Sequence, residues 1–507
     1  MYRGGFEAVG GTPGEPDYLY YNADIINNND LDQANGVALP DPVIRFNETR
    51  DKALITNAAD YHFSIVRFTM NGANLDLPLF IPQIPLDGSA TYDPVNGTQS
   101  VYSFTMSIQQ TWNVPTSAGD PTITQRTLTL LSPQQFVYWY PQYNNTIIAP
   151  PPLPNVPLYS QNLSSRFWWA TDYSYVINLF NEVMNATWVG LYNQFVAQWP
   201  TIGGGSPPPY SNVQDFVNGV GAPPNLVYNQ ADRTIQLFAD SDCFGQRLVA
   251  FADVGTSGTP STPPYARLFM NANCYGLLSG FSTTYWNLGT IPSNYNINPL
   301  TDNYTYIFPD LTNVQGGTYE INFFNRYYSN VVDYRVAPYA GQSPLGFVPS
   351  PQNGGTINYQ KVYYVVTQDY KCVDTLWSPI ASITFESTLL PLVRETTGKP
   401  VILGASNTGN SATTTPSAFQ PIITDIAIDQ ALTGADAYRG FIYYAPSAEY
   451  RLADTAGNQE IRNIDISVYW KARLTGEYVP VSMFNLSAVS CKVMFRKKGV
   501  AYPKEAR

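Results

Sequence analysis

IDISVYWKARLTGEYVPVSMFNLSAVSCKVMFRKKG, residues 464–499, is the stretch that decides the fold class. Ile464, Ile466, Val468 and Trp470 alternate with Asn463, Asp465 and Ser467. Further on, Val489, Cys491, Val493 and Phe495 alternate with Ser490, Lys492 and Arg496, with Met494 as the exception. Between them lie the turn pair Thr475-Gly476 and a second run, Tyr478 to Leu486. A period of two puts one set of side chains on each face of a strand. Short alternating strands with turn signals every ~8–12 residues predict a β-sandwich.

Working outward, the first part of the chain carries the same pattern. Tyr102, Phe104, Met106 and Ile108 alternate with Ser103, Thr105, Ser107 and Gln109, which predicts an apolar face against a core and hydroxyls in water. In YHFSIVRFTM (61–70) the apolar phase shifts from Tyr61, Phe63 and Ile65 to Val66, Phe68 and Met70. Such a shift indicates a bulge or a strand covered on both faces. LPLFIP (77–82) follows the turn-like Asn71-Gly72.

The middle differs. Residues 141–165 form a Pro-rich connector that cannot be a central strand. A helix is predicted over about 172–199, with Trp188, Leu191, Tyr192, Phe195 and Trp199 on one face. Thr171 or Asp172 is positioned to cap it, and Pro200 with the glycines 203–205 ends it. DRTIQLFADSDCFG (232–245) reads as strand then turn, VYYVV (362–366) as a buried strand, and 265–280 and 319–336 as either helix or strand. The simplest organisation is mainly β: one sandwich built from both chain ends, with a large mixed, partly helical insertion. The expected parts are a flexible arm over 1–17, sandwich strands over 18–120, an insertion over 121–370, and further strands with a basic tail over 371–507. A three-domain bead arrangement is the alternative.

Composition narrows the chemistry. Only 13% of the 507 residues are charged, against about 25% in an ordinary soluble domain. There are 38 Tyr, 41 Pro and a single histidine, His62. One histidine cannot build a multi-histidine zinc site or a two-histidine relay. A net charge of −11 argues against nucleic-acid binding over the whole surface. Cys243, Cys274, Cys372 and Cys491 have no zinc-site spacing and read as buried thiols, with a Cys243–Cys274 bridge as the other option. The N-terminal stretch lacks the apolar core of a secretory signal, and no apolar run is long enough for a membrane span.

The chemical motifs are sparse. His62 sits inside a strand pattern and reads as structural. GGTPGE (10–15) and IGGGSP (202–207) lack the Lys-Ser/Thr of a phosphate loop and read as linkers. DSDCFG (240–245) lacks the closing Glu of a calcium loop. Acids such as Glu320 and Glu386 among many rings are ingredients of a glycosidase, yet both residue types are too abundant to single out a site. SPPPY (206–210), with Pro207, Pro208 and Tyr210, matches the PPxY pattern that WW domains bind, in a chain where chance produces such matches.

Charge is distributed unevenly. No lysine occurs over residues 53–360, whereas Lys492, Arg496, Lys497, Lys498, Lys504 and Arg507 crowd the end against Glu505. The end is either a solvated cap on the last strand or a contact for an acidic partner, nucleic acid or protein. A surface so poor in ions and rich in Tyr has the composition of a subunit interface.

The stretch 464–499 resembles the last jelly-roll strands of penton (minor capsid) proteins of virophages, polinton-like viruses and related double-stranded DNA viruses. DPVIRFNETRDKALITNAADYHFSIVRFTMNGANLDLPLFIP (41–82) is similar to the opening strands of the same group. The resemblance implies a single jelly roll perpendicular to the shell, forming homopentamers at the five-fold vertices of an icosahedral virion beside the major capsid protein. It implies an insertion that forms an outward tower or cap, whose Trp and Tyr content suits contact with a host receptor or glycan; charge alone points the basic tail inward, toward the genome or inner-shell proteins. It implies no catalytic residues and no cofactor, in a structural protein made in the host cytoplasm or nucleus. The competing expectations are a carbohydrate-binding or glycan-degrading β protein and a trimeric spike or fibre.

Overall fold

The structure is a computed structural model and describes residues 15–27, 42–71, 77–84, 97–116, 120–140, 168–203, 208–229, 232–240, 242–244, 258–262, 264–286, 318–323, 329–333, 362–398, 418–427, 441–445, 451–473, 475–483 and 487–499. Eight strands form the sandwich: β1 (Tyr18–Ile26), β2 (Arg45–Thr49), β3 (Tyr61–Asn71), β4 (Ile380–Glu386), β5 (Ile422–Ala427), β6 (Phe441–Tyr444), β7 (Asn463–Ala472) and β8 (Ala488–Lys497). One sheet runs β1-β8-β3-β6 and the other β5-β4-β7-β2, with every pair antiparallel. Two four-stranded sheets with this order make a jelly roll. Ala453–Asp454 continues the β6 side of β3, and Tyr478–Pro480 continues the β2 side of β7.

The alternation sets the inner faces. Ile464, Ile466, Val468 and Trp470 of β7 meet Val489, Cys491, Val493 and Phe495 of β8 in one core with Ile383, Phe385, Ile423 and Ile426. The phase shift in β3 is a bulge: Lys492 pairs with Arg67 and Val493 with Ile65, leaving Val66 as the extra residue. The bulge lets both Ile65 and Phe68 point inward.

The chain between β3 and β4 builds a second core. Strands 283–286, 318–321, 265–270, 98–115 and 123–131 lie side by side, with 135–139 also paired to 98–104. Strands 329–333, 362–367, 234–240 and 225–229 form a smaller sheet. Helix α1 (Tyr173–Gln198) packs on 98–115, 135–139 and 225–229, burying Trp188, Leu191 and Phe195 as predicted, and also Tyr173, Val176, Ile177 and Phe180. Asp172 caps it by accepting from the Ser174 N–H at 2.8 Å. A 3-10 turn, Trp199–Ile202, follows and ends at Gly203, whose positive φ of 83° favours glycine. Shorter helices α2 (Val213–Val220) and α3 (Ala272–Leu278) complete the layer. The ambiguous segment 265–280 is thus strand then helix, the switch made by Asn271, which accepts from the Cys274 N–H.

Two expectations need correction. The expected first part of the sandwich, 18–120, contributes to both cores: β1, β2 and β3 to the jelly roll, and 98–115 to the second sheet. The hydroxyls of 98–115 also do not face water, since Ser103, Thr105 and Ser107 are buried. Alternation reports two chemically different faces, and this central strand is covered on both. Residues 1–14 of the arm and the Pro-rich 141–165 lie outside the described residues.

The two cores meet along a narrow seam. The backbones of Leu79, Phe80 and Ala170 exchange hydrogen bonds of 2.8 to 3.2 Å. Leu77, Ile81 and Trp169 join the jelly-roll core, while Phe80, Ile84, Trp168 and Ala170 join the other. Trp169 meets Trp470 of β7 edge-on at 5.4 Å.

Candidate functional site

The basic end of β8 lies where β3 begins, with Arg496 opposite His62 and Lys497 opposite Tyr61. On its other side Tyr18 of β1 faces Arg496. Because the sheet continues to its last residues, Arg496 and Lys497 are only 8% and 3% exposed. They belong to the body and not to a solvent-directed tail, which corrects that expectation for these two. Lys492 and Lys498 keep exposed surface. Lys492 sets its ammonium 5.0 Å from the centre of the Tyr20 ring. Lys504 and Arg507 lie outside the described residues.

Lys498 donates to the Thr455 carbonyl at 3.1 Å and stands 3.5 Å from Asp454 Oδ1. His62 Nδ1 is 3.0 Å from the same oxygen. Burial lowers the His62 pKa from its ordinary value; Asp454 opposes that, whereas Lys498 and Arg496 reinforce it. The entering chain is tied here as well. The Lys497 N–H donates to the Asp17 carbonyl at 2.9 Å, and the Tyr61 hydroxyl to the Pro16 carbonyl at 2.9 Å. Burial, followed by Glu15, Asp17 and Asp60, pushes the Tyr61 hydroxyl pKa up. Residues 16–17 and Lys497 are therefore tied together at one charged end of the sandwich.

The PPxY tyrosine turns inward. Tyr210 packs at 5.2 Å on Phe195, 5.7 Å on Phe216 and 5.9 Å on Trp112, and burial pushes its hydroxyl up to about 12. A Cβ on Gly219 would stand 2.2 Å from this ring, so glycine makes the room. In this packing the ring is not offered to a polyproline-binding domain. Pro208 is half-buried beside it, and Pro207 lies outside the described residues.

The carboxylates do not converge. Glu320 is buried in a two-point pair with Arg267, at 2.6 Å to Nε and 2.5 Å to Nη2, inside the insertion sheet. Glu386 ends β4 in the other core, its pKa raised by burial. The Asp240 carboxylate accepts from the N–H groups of Ala222 and Asp242, at 2.8 and 3.0 Å, which braces the turn at 242–244. Among the described residues no group of three or more His, Cys, Asp or Glu is placed to hold a metal ion. The four cysteines are buried thiols with no disulfide, and burial pushes Cys491 up to about 12. No helix among the described residues is long and apolar enough to cross a membrane.

One polar residue of consequence was not singled out from sequence. Asp465 of β7 is fully buried and grips the loop after β4. It accepts from Ser387 Oγ at 2.5 Å, Thr388 Oγ1 at 2.7 Å, and the N–H groups of Thr388 and Leu389 at 2.9 Å. In sequence Asp465 occupies an ordinary polar position of an alternating strand, and only its partners 76–78 residues away give it this role.

A two-sheet body of jelly-roll order, here with an inserted second unit, is an architecture that viral coat subunits share with lectin domains and cupins. The sequence matches the family of the Sputnik minor capsid protein V18/19 over residues 19–497, and the chain belongs to that family. It is accordingly a minor capsid protein, a structural component of the virion. A chain of the 3.5 Å cryo-EM structure of the Sputnik virophage is similar in fold at 20% identity and a TM-score of 0.54, covering 96% of this chain and 99% of that one. The crystal structure of the mavirus penton protein aligns with 95% of this chain and 99% of that one, at 12% identity and a TM-score of 0.43. No curated protein matches the sequence significantly.

Proposed function

We propose that the chain is a penton subunit that stands upright in the shell, five copies closing a ring at each five-fold vertex beside the major capsid protein. The observation that carries this reading is the polarity of the sandwich. The insertion leaves at Asn71, the end of β3, and returns at Ile380, the start of β4. The entering and leaving chain ends gather at Tyr61, the start of β3. The eleven residues of β3 separate the two ends, a length of about 33 Å. A body with an elaborate end and a charged end suits a subunit that spans a shell. The insertion, which divides from the body near 72 and 379, faces outward, where it meets a host receptor or glycan. The end bearing Arg496, Lys497 and Lys498 faces inward, toward genome or inner-shell proteins, with Lys492 halfway along β8. No group among the described residues is assigned a catalytic role.

Counting subunits of the purified protein by mass photometry tests this directly. Five copies are expected; three would support a spike and one would refute the ring. The inward contact is tested by removing residues 500–507, which lie beyond β8. Salt-dependent binding to nucleic acid that is unchanged by this truncation would confine any contact to Lys492 and Lys498.

A further inference from the structure

Helix α3 of the insertion has an open outer face. Cys274, Leu277 and Leu278 turn into the core, which leaves Ala272, Tyr275, Gly276 and the following Ser279 on the other side. Gly276 is exposed, and a Cβ built on it would meet nothing within 4 Å. A glycine inside a helix costs about 1 kcal/mol relative to alanine, and close approach of a neighbouring group is the usual reason for one. No group of the chain approaches this glycine, so it leaves a notch open to solvent.

Aromatic rings wall the notch. On one side the Tyr275 ring lies parallel to that of Tyr319, with 3.9 Å between centres and 3° between planes. Tyr285 pairs with Tyr319 from the edge strand 283–286, its ring 5.1 Å away and tilted by 51°, and it is 49% exposed. On the other side the Tyr370 hydroxyl donates to Ser279 Oγ at 3.0 Å, and Tyr370 is 52% exposed. Four residues of helix, about 6 Å, separate Tyr275 from Ser279.

The surroundings are uncharged. Residues 272–286, ANCYGLLSGFSTTYW, contain no Asp, Glu, Lys or Arg. Glu320, next to Tyr319, points to the opposite face of its strand, where Arg267 pairs with it. The charges beside Tyr370 in sequence, Asp369 and Lys371, are one of each sign.

We propose that the notch over Gly276 holds a neutral pyranose of a glycan, stacked against the tyrosines. The C–H face of such a sugar is attracted to the negative face of an aromatic ring. Its rim of hydroxyls donates and accepts, as the hydroxyls of Tyr275, Tyr285, Ser279 and Tyr370 do. A protein partner needs about 800 Å² on each side, far more than one turn of helix and its bordering rings present. An acidic sugar needs a cation, and residues 272–286 supply none. The inference rests on the outward, receptor-contacting insertion proposed above and narrows its ligand to one chemical class at one place.

An array of neutral, sialylated and sulfated oligosaccharides, probed with the full-length chain, provides the test. Two variants, Gly276→Leu and Tyr285→Ala, are probed beside it. Leucine fills the notch and, at an exposed helical position, is expected to leave the melting temperature unchanged or raised. If Tyr285→Ala fails to fold by circular dichroism, Gly276→Leu alone decides. The unaltered chain is expected to retain neutral oligosaccharides and not the acidic ones. Each folded variant is expected to lose about tenfold in affinity for the best neutral oligosaccharide, the scale of one aromatic contact. Selective retention of acidic glycans would overturn the proposal, and so would neutral binding that survives the substitutions. A chain that forms its ring and retains no glycan would overturn the site and leave the penton reading intact. Neutral binding that depends on Gly276 and Tyr285 in a chain that forms no ring would refute the penton reading and leave the site standing.

Discussion

The jelly-roll core is dominated by β-branched residues, among them Ile44, Ile65, Ile383, Ile426, Ile464, Ile466, Val468 and Val489, interleaved with Phe46, Phe63, Phe68, Phe385 and Phe495 and with two tryptophans at its seam. The insertion core instead holds Trp112, Trp139, Trp168, Trp188, Trp199 and Trp377 with a chain of phenylalanines and tyrosines. The difference follows from geometry. Two sheets that face each other about 10 Å apart are filled by interdigitating branched chains. A long helix lying over a sheet leaves wider and less regular gaps, and rings fill them: Trp188 meets Phe244 at 6.1 Å and Phe216 at 6.0 Å. Some of the tyrosines are accordingly interior packing of the insertion, as Tyr102, Tyr173 and Tyr210 are.

The largest expected effects test whether the two cores are separate cooperative units. Trp188→Ala should cost about 3–5 kcal/mol and Ile466→Ala about 2–5 kcal/mol. Hydrogen exchange resolved by segment should show each loss confined to its own core, with the seam at Leu79, Phe80 and Ala170 linking them. Protection lost equally across both cores in either variant would make them one unit and break the comparison.

The next effect belongs to the sandwich alone. Asp465→Asn removes the carboxylate that holds the loop after β4 and should cost about 2–3 kcal/mol by chemical denaturation. It should also flatten the acid limb of the stability curve. Burial would push the Asp465 pKa up, but hydrogen bonds from Ser387, Thr388 and Leu389 outweigh it, and the net shift is down from about 3.8. A depressed carboxylate pKa stabilises the fold above the unfolded value, and that contribution is lost as pH falls through the folded one.

The smallest effect comes from His62. Its folded pKa is lowered from 6.5, burial being the main cause. The unfolded chain then binds the proton more readily, so stability falls as pH drops from about 6.5 through the lowered folded value. His62→Gln should abolish this slope, with a change in stability under about 1 kcal/mol. Melting temperatures at pH 5 and pH 7 provide the check, and the insertion should be indifferent to the substitution.

Much of the sandwich was legible from sequence because a period of two, broken by turns, leaves few alternatives. The phase change at Val66 left a bulge and a strand covered on both faces as the two readings, and the pairing with β8 selects the bulge. The unit to which 98–115 belongs could not, since alternation says nothing about which sheet a strand joins or whether its polar face meets water. The charged end was legible as composition. Its burial was not, because that depends on β8 lying between β1 and β3, strands from the far end of the chain. The inward turn of Tyr210 was not legible for a related reason: a local motif carries no information about Trp112 and Phe216, which draw the ring inward.

The pairing of Tyr18 with Arg496 has a consequence in time. A ribosome delivers the insertion whole before it delivers β8, so the helical unit has its partners early and the sandwich does not. Until β8 emerges, β1 and β3 have no strand between them, and neither sheet edge has its finished shape. A chain cut short near its end therefore lacks the strand that joins β1 to β3. The sandwich is reserved for completed chains by the order in which the strands are made.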